Sequence, residues 1–173
     1  MLEGHFVLHS GRHSPVFWEK FRVLQYPGHV STLCSMIADH FHDRPIDMIA
    51  GPATGGMILA FEVGRILGRR AIYAEKEGDR KTFRRGAAIE AGDRVLVVDD
   101  VITAGGSVNE VIGLVRDRGG KVAGVGVLVD RTETPPDFGA PFYSCLKTAA
   151  VTYAPERCPL CAAGIPLVRP GGA

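Results

Sequence analysis

Val-Leu-Val-Val-Asp-Asp-Val-Ile-Thr-Ala-Gly-Gly-Ser, at residues 95–107, is the stretch that decides the fold class of this chain. Arg94–Val98 is a continuous, largely β-branched apolar run, which is typical of a strand buried on both faces, and Asp99 and Asp100 are predicted to end it. Gly105–Gly106 then opens a helix, because apolar residues recur after it at helical spacing. The stretch therefore predicts a strand, a polar loop and a helix in succession.

The same alternation extends in both directions along the chain. Apolar periodicity predicts helices from Pro27 to Phe41 and from Met57 to Leu67, and short apolar runs predict strands at Ile46–Ala50, Ala71–Ala74 and Val122–Val129. Strands that alternate with helices form right-handed βαβ units on a parallel sheet. We therefore predict an α/β fold with a central, mostly parallel sheet flanked by helices.

Composition and charge restrict the function classes. The 173 residues are 46% hydrophobic and 23% charged, which suits one globular domain with a substantial core. A formal charge of +1 provides no overall field for a polyanion, so no nucleic-acid partner is expected. No apolar run approaches the roughly 20 residues needed to cross a bilayer, and Met1–Gly11 has no signal core, so we expect a cytoplasmic protein without a membrane partner.

In such a sheet, ligands bind beyond the carboxyl ends of the strands. Asp99 and Asp100 can engage ribose hydroxyls or, through water, a divalent cation. Thr103–Ser107 surrounds a helix amino terminus, where free N–H groups and hydroxyls hold a phosphate. Taken alone, Asp99 and Asp100 could be a surface pair of acids, and Thr103–Ser107 could be an ordinary Gly-rich turn. The order of acids, hydroxyls and glycines in one stretch favours a single sugar-phosphate ligand. Neither Gly-x-Gly-x-x-Gly nor a Walker loop is present in this stretch.

At these residues the chain resembles the type I phosphoribosyltransferase family, whose phosphoribosyl pyrophosphate signature is a hydrophobic strand, two acids and a Thr-Gly-rich loop. Gly4–Pro15 and Asp130–Thr132 resemble elements of the branch that uses orotate. The resemblance implies one domain, 1–173, with a small amino-terminal hood at about 1–26, a core at about 27–150 and a tail at about 151–173. It implies Mg²⁺-dependent transfer of the 5-phosphoribosyl group to orotate, giving orotidine 5′-monophosphate and diphosphate in pyrimidine biosynthesis.

The resemblance also implies roles for individual residues. Asp99 and Asp100 would bind the ribose hydroxyls and, through water, the metal, and Asp100 is also a candidate catalytic residue. The phosphoribosyl pyrophosphate site would comprise Asp99, Asp100, Val101, Ile102, Thr103, Ala104, Gly105, Gly106, Ser107, Ala53, Thr54, Gly55, Lys76 and Arg85. The orotate site would comprise Thr103, Arg131, Phe17 and Trp18. A cis peptide is expected at Ala53-Thr54.

A charged segment, Glu75–Gly86, has five cations and three acids. Its composition is that of a solvated hairpin. In the family it is a mobile loop that closes over the departing diphosphate and reaches the neighbouring subunit's active site, so the resemblance implies a homodimer with shared sites. Lys76, Arg80 and Lys81 are the candidate catalytic cations; Lys76 matches the family well, and either Arg80 or Lys81 takes the place of the catalytic lysine.

Two features lie outside the motif. His9 and His13 stand at positions where lysines are common in the family. The two histidines could donate to a phosphate or carboxylate, or they could be exposed hood residues. Cys158 and Cys161 could supply half of a zinc site, with Cys34, Cys145 or a symmetry mate to complete it, because tetrahedral zinc needs four ligands. A redox or disulfide pair is a second alternative, and we favour a plain reduced pair in a packed tail.

Two other functions compete with transfer to orotate. A purine could be the acceptor, which Arg131 argues against, because a guanidinium grips a planar carboxylate. A non-catalytic regulator would bind a nucleotide without turnover, and it would have little need for the cations near Lys76.

Overall fold

The computed structural model describes residues 1–8, 10–78, 80–84, 86–134, 136–149 and 151–170. Its main sheet has six strands in the order β5-β4-β3-β6-β7-β8, and neighbouring strands are parallel except for β4 and β5. The strands are β3 (Met48–Pro52), β4 (Arg70–Glu77), β5 (Arg80–Phe83), β6 (Arg94–Ile102), β7 (Lys121–Asp130) and β8 (Phe142–Lys147). The predicted α/β fold class is confirmed.

Helices cover both faces of this sheet. They are α1 (Phe21–Leu24), α2 (Pro27–Phe41), α3 (Gly55–Leu67), α4 (Gly106–Asp117) and α5 (Pro159–Ala162). The apolar faces of α2 and α3 pack in one core cluster, and α4 packs in the other, on the opposite face of the sheet. The described residues contain no helix long and apolar enough to cross a membrane.

The chain turns in opposite directions from the central strand pair. From β3 it crosses through α3 to β4 on one side, whereas β6 pairs with the other side of β3 and leads through α4 to β7. The segments that follow β3 and β6 therefore lead to opposite sides of the sheet. The carboxyl ends of these two strands border a crevice, which is where ligands bind in open sheets. This crevice lies between the two loops that carry most of the predicted site.

A second, smaller sheet lies at the amino terminus. The strands β1 (Leu2–Val7) and β2 (His13–Phe17) form an antiparallel pair, here called the hood. The segment 151–170 extends the hood on both sides. Tyr153 exchanges backbone hydrogen bonds of 2.8 and 2.9 Å with His13, and Val168 bonds to His5 and Val7 at 2.8 and 3.0 Å.

Several elements differ from the sequence prediction in their bounds: β3 is Met48–Pro52 and not Ile46–Ala50, and β4 continues to Glu77 and does not end at Ala74. Two further differences bear on the site. The strand β6 continues to Ile102 and does not end at Asp99, because parallel pairing with β7 extends to Ile102 opposite Asp130. The strand β8 was not predicted, since its outer face is only partly buried and the Pro-rich segment before it suggested a linker. The two aspartates are consequently held within a rigid strand.

Candidate active site

Two buried carboxylates lie near the carboxyl end of β6. Asp99 accepts a hydrogen bond from the Asp100 backbone N–H at 2.8 Å, and Asp100 accepts one from the Val101 backbone N–H at 2.6 Å, in both cases through Oδ1. Burial, reinforced by repulsion from Asp100, raises the pKa of Asp99 to about 7. Both carboxylates are thus kept in place by the backbone through Oδ1.

Lys20 supplies a cation to this pair that sequence reasoning missed. Its Nζ lies 2.8 Å from Oδ2 of Asp100. Lys20 is 80 residues from Asp100 in the chain and lies just beyond the hood, so no spacing in the sequence connects them. The Lys20 ammonium is therefore the cation beside Asp100 Oδ2. Carboxylate oxygens are hard ligands, which also suit a divalent metal such as Mg²⁺.

The loop after β3 packs directly against Asp100. A Cβ atom at Gly55 would lie 1.5 Å from Asp100 Oδ2, so only glycine fits here. The peptide bond Ala53-Thr54 is cis, as the resemblance implied, and the Ala53 N–H donates to the Ala74 carbonyl at 2.8 Å. The side chains of Ala53 and Thr54 are exposed. The two predicted ligand loops therefore meet at one carboxylate.

The loop after β6 ends at the start of α4. Gly105 precedes the helix with a φ of +73°, a conformation that favours glycine, and Thr103, Ala104, Gly106 and Ser107 are exposed. Free N–H groups at a helix start attract a phosphate. Lys81 of β5 reaches this loop, with Nζ 3.3 Å from Ser107 Oγ and 3.0 Å from Glu110 Oε2.

The rest of the cationic segment forms the β4–β5 hairpin. Lys76 and Lys81 are directly opposite in the two strands. Lys76 and Arg80 are exposed, whereas Lys81 is half-buried against α4. Arg85 lies outside the described residues. Among the three described candidate cations, Lys81 is the one placed on the phosphate loop of its own chain.

Arg131 is held at the end of β7, next to β6. Its backbone N–H donates to the Ile102 carbonyl at 2.9 Å, and the residue is only 5% exposed. Within the described residues, its Nε has no hydrogen-bond partner. Burial lowers the pKa of the guanidinium. A buried guanidinium with a free N–H is an incomplete arrangement that a bound anion would complete.

The neighbours of Arg131 are fixed by Lys147, which sequence reasoning also missed. Lys147 Nζ lies 2.7 Å from Asp130 Oδ2 and donates to the Thr132 carbonyl at 2.7 Å. Asp130 also accepts hydrogen bonds from the Thr132 N–H and hydroxyl. Burial acts to raise the pKa of Asp130, but these hydrogen bonds outweigh it and lower that pKa. Asp130 is therefore paired with Lys147 and Thr132, so the Arg131 guanidinium is available to a ligand.

A cavity of about 220 Å³ lies between the segment that follows the hood, residues 18–24, and residues of β6 and β7. Trp18 and Lys20 line it from one side, and Asp100, Val101 and Leu128 from the other. Phe17 instead packs on Phe6 in the hood, with ring centroids 5.8 Å apart. Of the predicted aromatic pair, Trp18 thus lies at the cavity and Phe17 in the hood.

The histidine and cysteine predictions need correction. His13 is buried and faces Cys161, with Nδ1 3.3 Å from Sγ, so it is not an exposed hood residue; His9 lies outside the described residues. Cys34 is in the core, where burial raises the pKa of its thiol to about 12, and Cys145 contacts the Leu33 carbonyl. Neither therefore accompanies Cys158 and Cys161, and all four cysteines are free thiols.

Comparison with known proteins identifies the family. The model of the phosphoribosyl transferase domain matches residues 24–160. An orotate phosphoribosyltransferase of Caldanaerobacter subterraneus subsp. tengcongensis is 50% identical over 98% of this chain and 89% of its own length. The orotate phosphoribosyltransferase of Pelotomaculum thermopropionicum is 51% identical, over 99% and 90%. The chain belongs to the orotate phosphoribosyltransferase family.

A solved structure gives the same assignment for this orotate phosphoribosyltransferase family member. The crystal structure of orotate phosphoribosyltransferase from Aeropyrum pernix superposes with a TM-score of 0.72 at 29% identity, covering 84% of this chain and 86% of the other. The family resemblance seen in the sequence is confirmed. Because the fold and its loops follow the family, the crevice at Asp99–Ser107 is the candidate active site.

Proposed function

We propose that this chain transfers the 5-phosphoribosyl group of phosphoribosyl pyrophosphate to orotate, forming orotidine 5′-monophosphate and diphosphate. The observation that carries the proposal is Arg131, a buried guanidinium beside the Asp99–Ser107 loop whose Nε has no hydrogen-bond partner among the described residues. A carboxylate fits a guanidinium through two parallel hydrogen bonds. Orotate has that carboxylate, whereas uracil and the purines lack it.

The reaction breaks the bond between C1 of the ribose and the diphosphate oxygen, and diphosphate leaves with the bonding electron pair. N1 of orotate forms the new bond to C1 from the opposite face and releases its proton to solvent. No covalent nucleophile on the protein is required, so the residues act by position and charge. Asp99 and Asp100 accept the ribose hydroxyls, which orients C1 toward the base. The N–H groups and hydroxyls of Thr103–Ser107 hold the 5-phosphate, with Lys81 beside them.

The remaining residues bind the two ends of the reacting pair. Backbone N–H groups at Thr54 and Gly55 hold the diphosphate as it leaves, whereas the Ala53 N–H is already donated to the Ala74 carbonyl. Thr103, Arg131 and Trp18 bind orotate: Trp18 lines the cavity of about 220 Å³, whereas Thr103 and Arg131 follow β6 and β7 outside its lining. Mg²⁺, when bound through water to Asp99 and Asp100, would neutralise charge that develops on the diphosphate.

We further propose that the active unit is a homodimer. Lys76 and Arg80 are exposed at the tip of the β4–β5 hairpin, and a cationic hairpin can close over the departing diphosphate and exclude water. Lys81 contacts Ser107 of its own chain, so we assign it to its own phosphate loop and assign Lys76 and Arg80 to the neighbouring site.

The test is the loss of orotate absorbance when the purified chain is mixed with phosphoribosyl pyrophosphate and Mg²⁺. We expect Arg131→Ala to lower kcat/KM for orotate by about 100-fold or more, because a site built for one polar group discriminates strongly when the pairing is lost. Arg131→Lys keeps the charge without the paired hydrogen bonds and should remain impaired. Asp100→Asn should lower kcat/KM for phosphoribosyl pyrophosphate, because Asp100 accepts its ribose hydroxyls.

The matched control is Arg69→Ala, which removes an exposed arginine remote from the cavity lining and should leave the rate unchanged. Turnover of adenine but not orotate would overturn the acceptor. Binding of phosphoribosyl pyrophosphate without turnover of either base would overturn the enzymatic assignment.

A further inference from the structure

Four side chains from opposite ends of the chain converge between the hood and the tail. His5 and His13 come from β1 and β2, and Cys158 and Cys161 flank the start of α5. One donor atom from each residue lies within 4.8 Å of all the others. None of the four residues lines the cavity at the candidate active site.

Four of the six separations between the donor atoms are close to the edges of a tetrahedral site, and all six are within 4.8 Å. His5 Nε2 lies 3.1 Å from His13 Nδ1 and 3.4 Å from Cys158 Sγ. Cys161 Sγ lies 3.7 Å from His5 Nε2 and 3.3 Å from His13 Nδ1. Around zinc, with Zn–N about 2.05 Å and Zn–S about 2.3 Å, the tetrahedral edges are about 3.3 Å for N to N and about 3.6 Å for N to S. The observed separations agree with these edges to within a few tenths of an ångström.

The surroundings of His5 orient its ring as a metal ligand would be oriented. Its Nδ1 lies 2.7 Å from the Ile165 carbonyl, so Nδ1 carries the proton and donates it. Nε2 is then the unprotonated nitrogen, and it is the atom that faces the other three residues. His5, His13 and Cys158 are buried, and Cys161 closes the cluster at the surface.

We propose that His5 Nε2, His13 Nδ1, Cys158 Sγ and Cys161 Sγ bind one zinc ion. Two imidazoles and two thiolates at tetrahedral spacing favour zinc over harder divalent ions, which prefer oxygen ligands. All four positions are occupied by protein ligands, so the site is structural and leaves no position for a substrate.

The zinc ion would join the two ends of the chain. Backbone hydrogen bonds already pair segment 151–170 with both hood strands, at Tyr153 and at Val168. The four bonds of the ion would connect β1 and β2 to the start of α5, across about 150 residues of sequence. Since the ligands come together only in the folded chain, zinc should stabilise that state.

The first experiment measures zinc in the full chain, produced without a histidine tag in zinc-supplemented medium and dialysed. Inductively coupled plasma mass spectrometry should find about one zinc per chain. Cys161→Ser and His13→Asn should each weaken zinc affinity at least about tenfold, because even outer partners of a metal ligand are worth 10- to 100-fold in affinity, so both variants should lose zinc to a competing chelator that leaves the wild type loaded. Cys145→Ser and His29→Asn are the matched controls outside the cluster and should keep the wild-type content.

A second measurement does not depend on the folding of any variant. Wild-type chain, stripped of metal and still folded by circular dichroism, is titrated with Co²⁺ and then with Zn²⁺. We expect the visible absorption of tetrahedral cobalt and a thiolate charge-transfer band, saturating at one equivalent and abolished by zinc. With free zinc at a thousand times its Kd, the melting temperature should rise by about 8 to 16 °C over the stripped chain.

Two results would overturn the site. One is folded wild-type chain that takes up no cobalt or zinc. The other is bound zinc whose amount is the same in Cys161→Ser and His13→Asn as in the two controls.

Discussion

Gly55→Ala tests the contact between the loop after β3 and the carboxylate of Asp100. The new Cβ would lie 1.5 Å from Asp100 Oδ2 and 2.5 Å from its Cγ, and real Cβ contacts stay beyond 3.0 Å. The carboxylate must therefore retreat by at least about 1.5 Å, which also lengthens its 2.8 Å pair with Lys20. A displacement of about 1 Å of a positioned group can reduce a rate about 100-fold, so we expect kcat/KM for phosphoribosyl pyrophosphate to fall by at least that factor.

The stability change should be smaller than the change in rate. Overpacking a close contact costs about 1–3 kcal/mol, which corresponds to a fall in melting temperature of roughly 2 to 12 °C for a chain of this size. The side chain of Lys20 is 38% exposed, so solvent screens its ion pair with Asp100. We therefore add no further stability loss for the weakening of that pair. Steady-state kinetics and differential scanning calorimetry measure the two effects separately.

Gly113→Ala is the matched control, because it makes the same chemical change within α4 where a Cβ meets nothing within 4 Å. It should keep wild-type kinetics and gain about 0.5–1 kcal/mol, the usual preference for alanine over glycine in a helix. If Gly55→Ala is folded and its kcat/KM stays within about threefold of wild type, Asp100 does not need this position, and its role as a ribose ligand is wrong.

Two further substitutions test the electrostatics of the site. The pKa of Asp99 is raised from 3.8 to about 7 in the folded chain, so its ionisation opposes folding. The stability that Asp99 contributes is fully present below about pH 4, falls by up to about 4 kcal/mol as the pH rises to 7, and changes no further above that. Urea unfolding between pH 5 and pH 8 should show this slope for wild type and a reduced slope for Asp99→Asn, and equal slopes would refute it. Lys147→Met removes the 2.7 Å partner of Asp130, a carboxylate that is only 4% exposed; because Lys147 itself is 48% exposed, we expect a discounted loss of about 1–3 kcal/mol. Lys121→Met, at an exposed position of β7, is the control for that measurement, and an equal loss in both variants would contradict a specific role for Lys147.

Local sequence patterns were sufficient for the central elements. The β-branched run before Asp99 and the helical spacing after Gly106 are short-range signals, and the observed β6 and α4 follow them. Arg131 could be predicted because its position at the end of a strand matches a family motif. The exact end of β6 could not, because its last residues are kept extended by pairing with β7.

The residues that were missed are those whose partners are remote in the chain. Lys20 and Lys147 have no motif around them, and they become part of the site only because the hood and β8 bring their ammonium groups to Asp100 and Asp130. The partners of Cys158 and Cys161 were sought among the other cysteines, whereas the structure places two hood histidines there.

The fold class, the family and the two ligand loops could thus be predicted from the sequence, because hydrophobic periodicity and loop composition act over a few neighbouring residues. Which side chains share a site across the chain depends on tertiary packing. The Nε of Arg131, which has no partner among the described residues, the contact of Gly55 with Asp100 and the cluster at His5 all depend on distances between segments far apart in sequence. Such distances are set by how the sheet, the hood and the tail pack together, and that packing is a property of the whole folded chain.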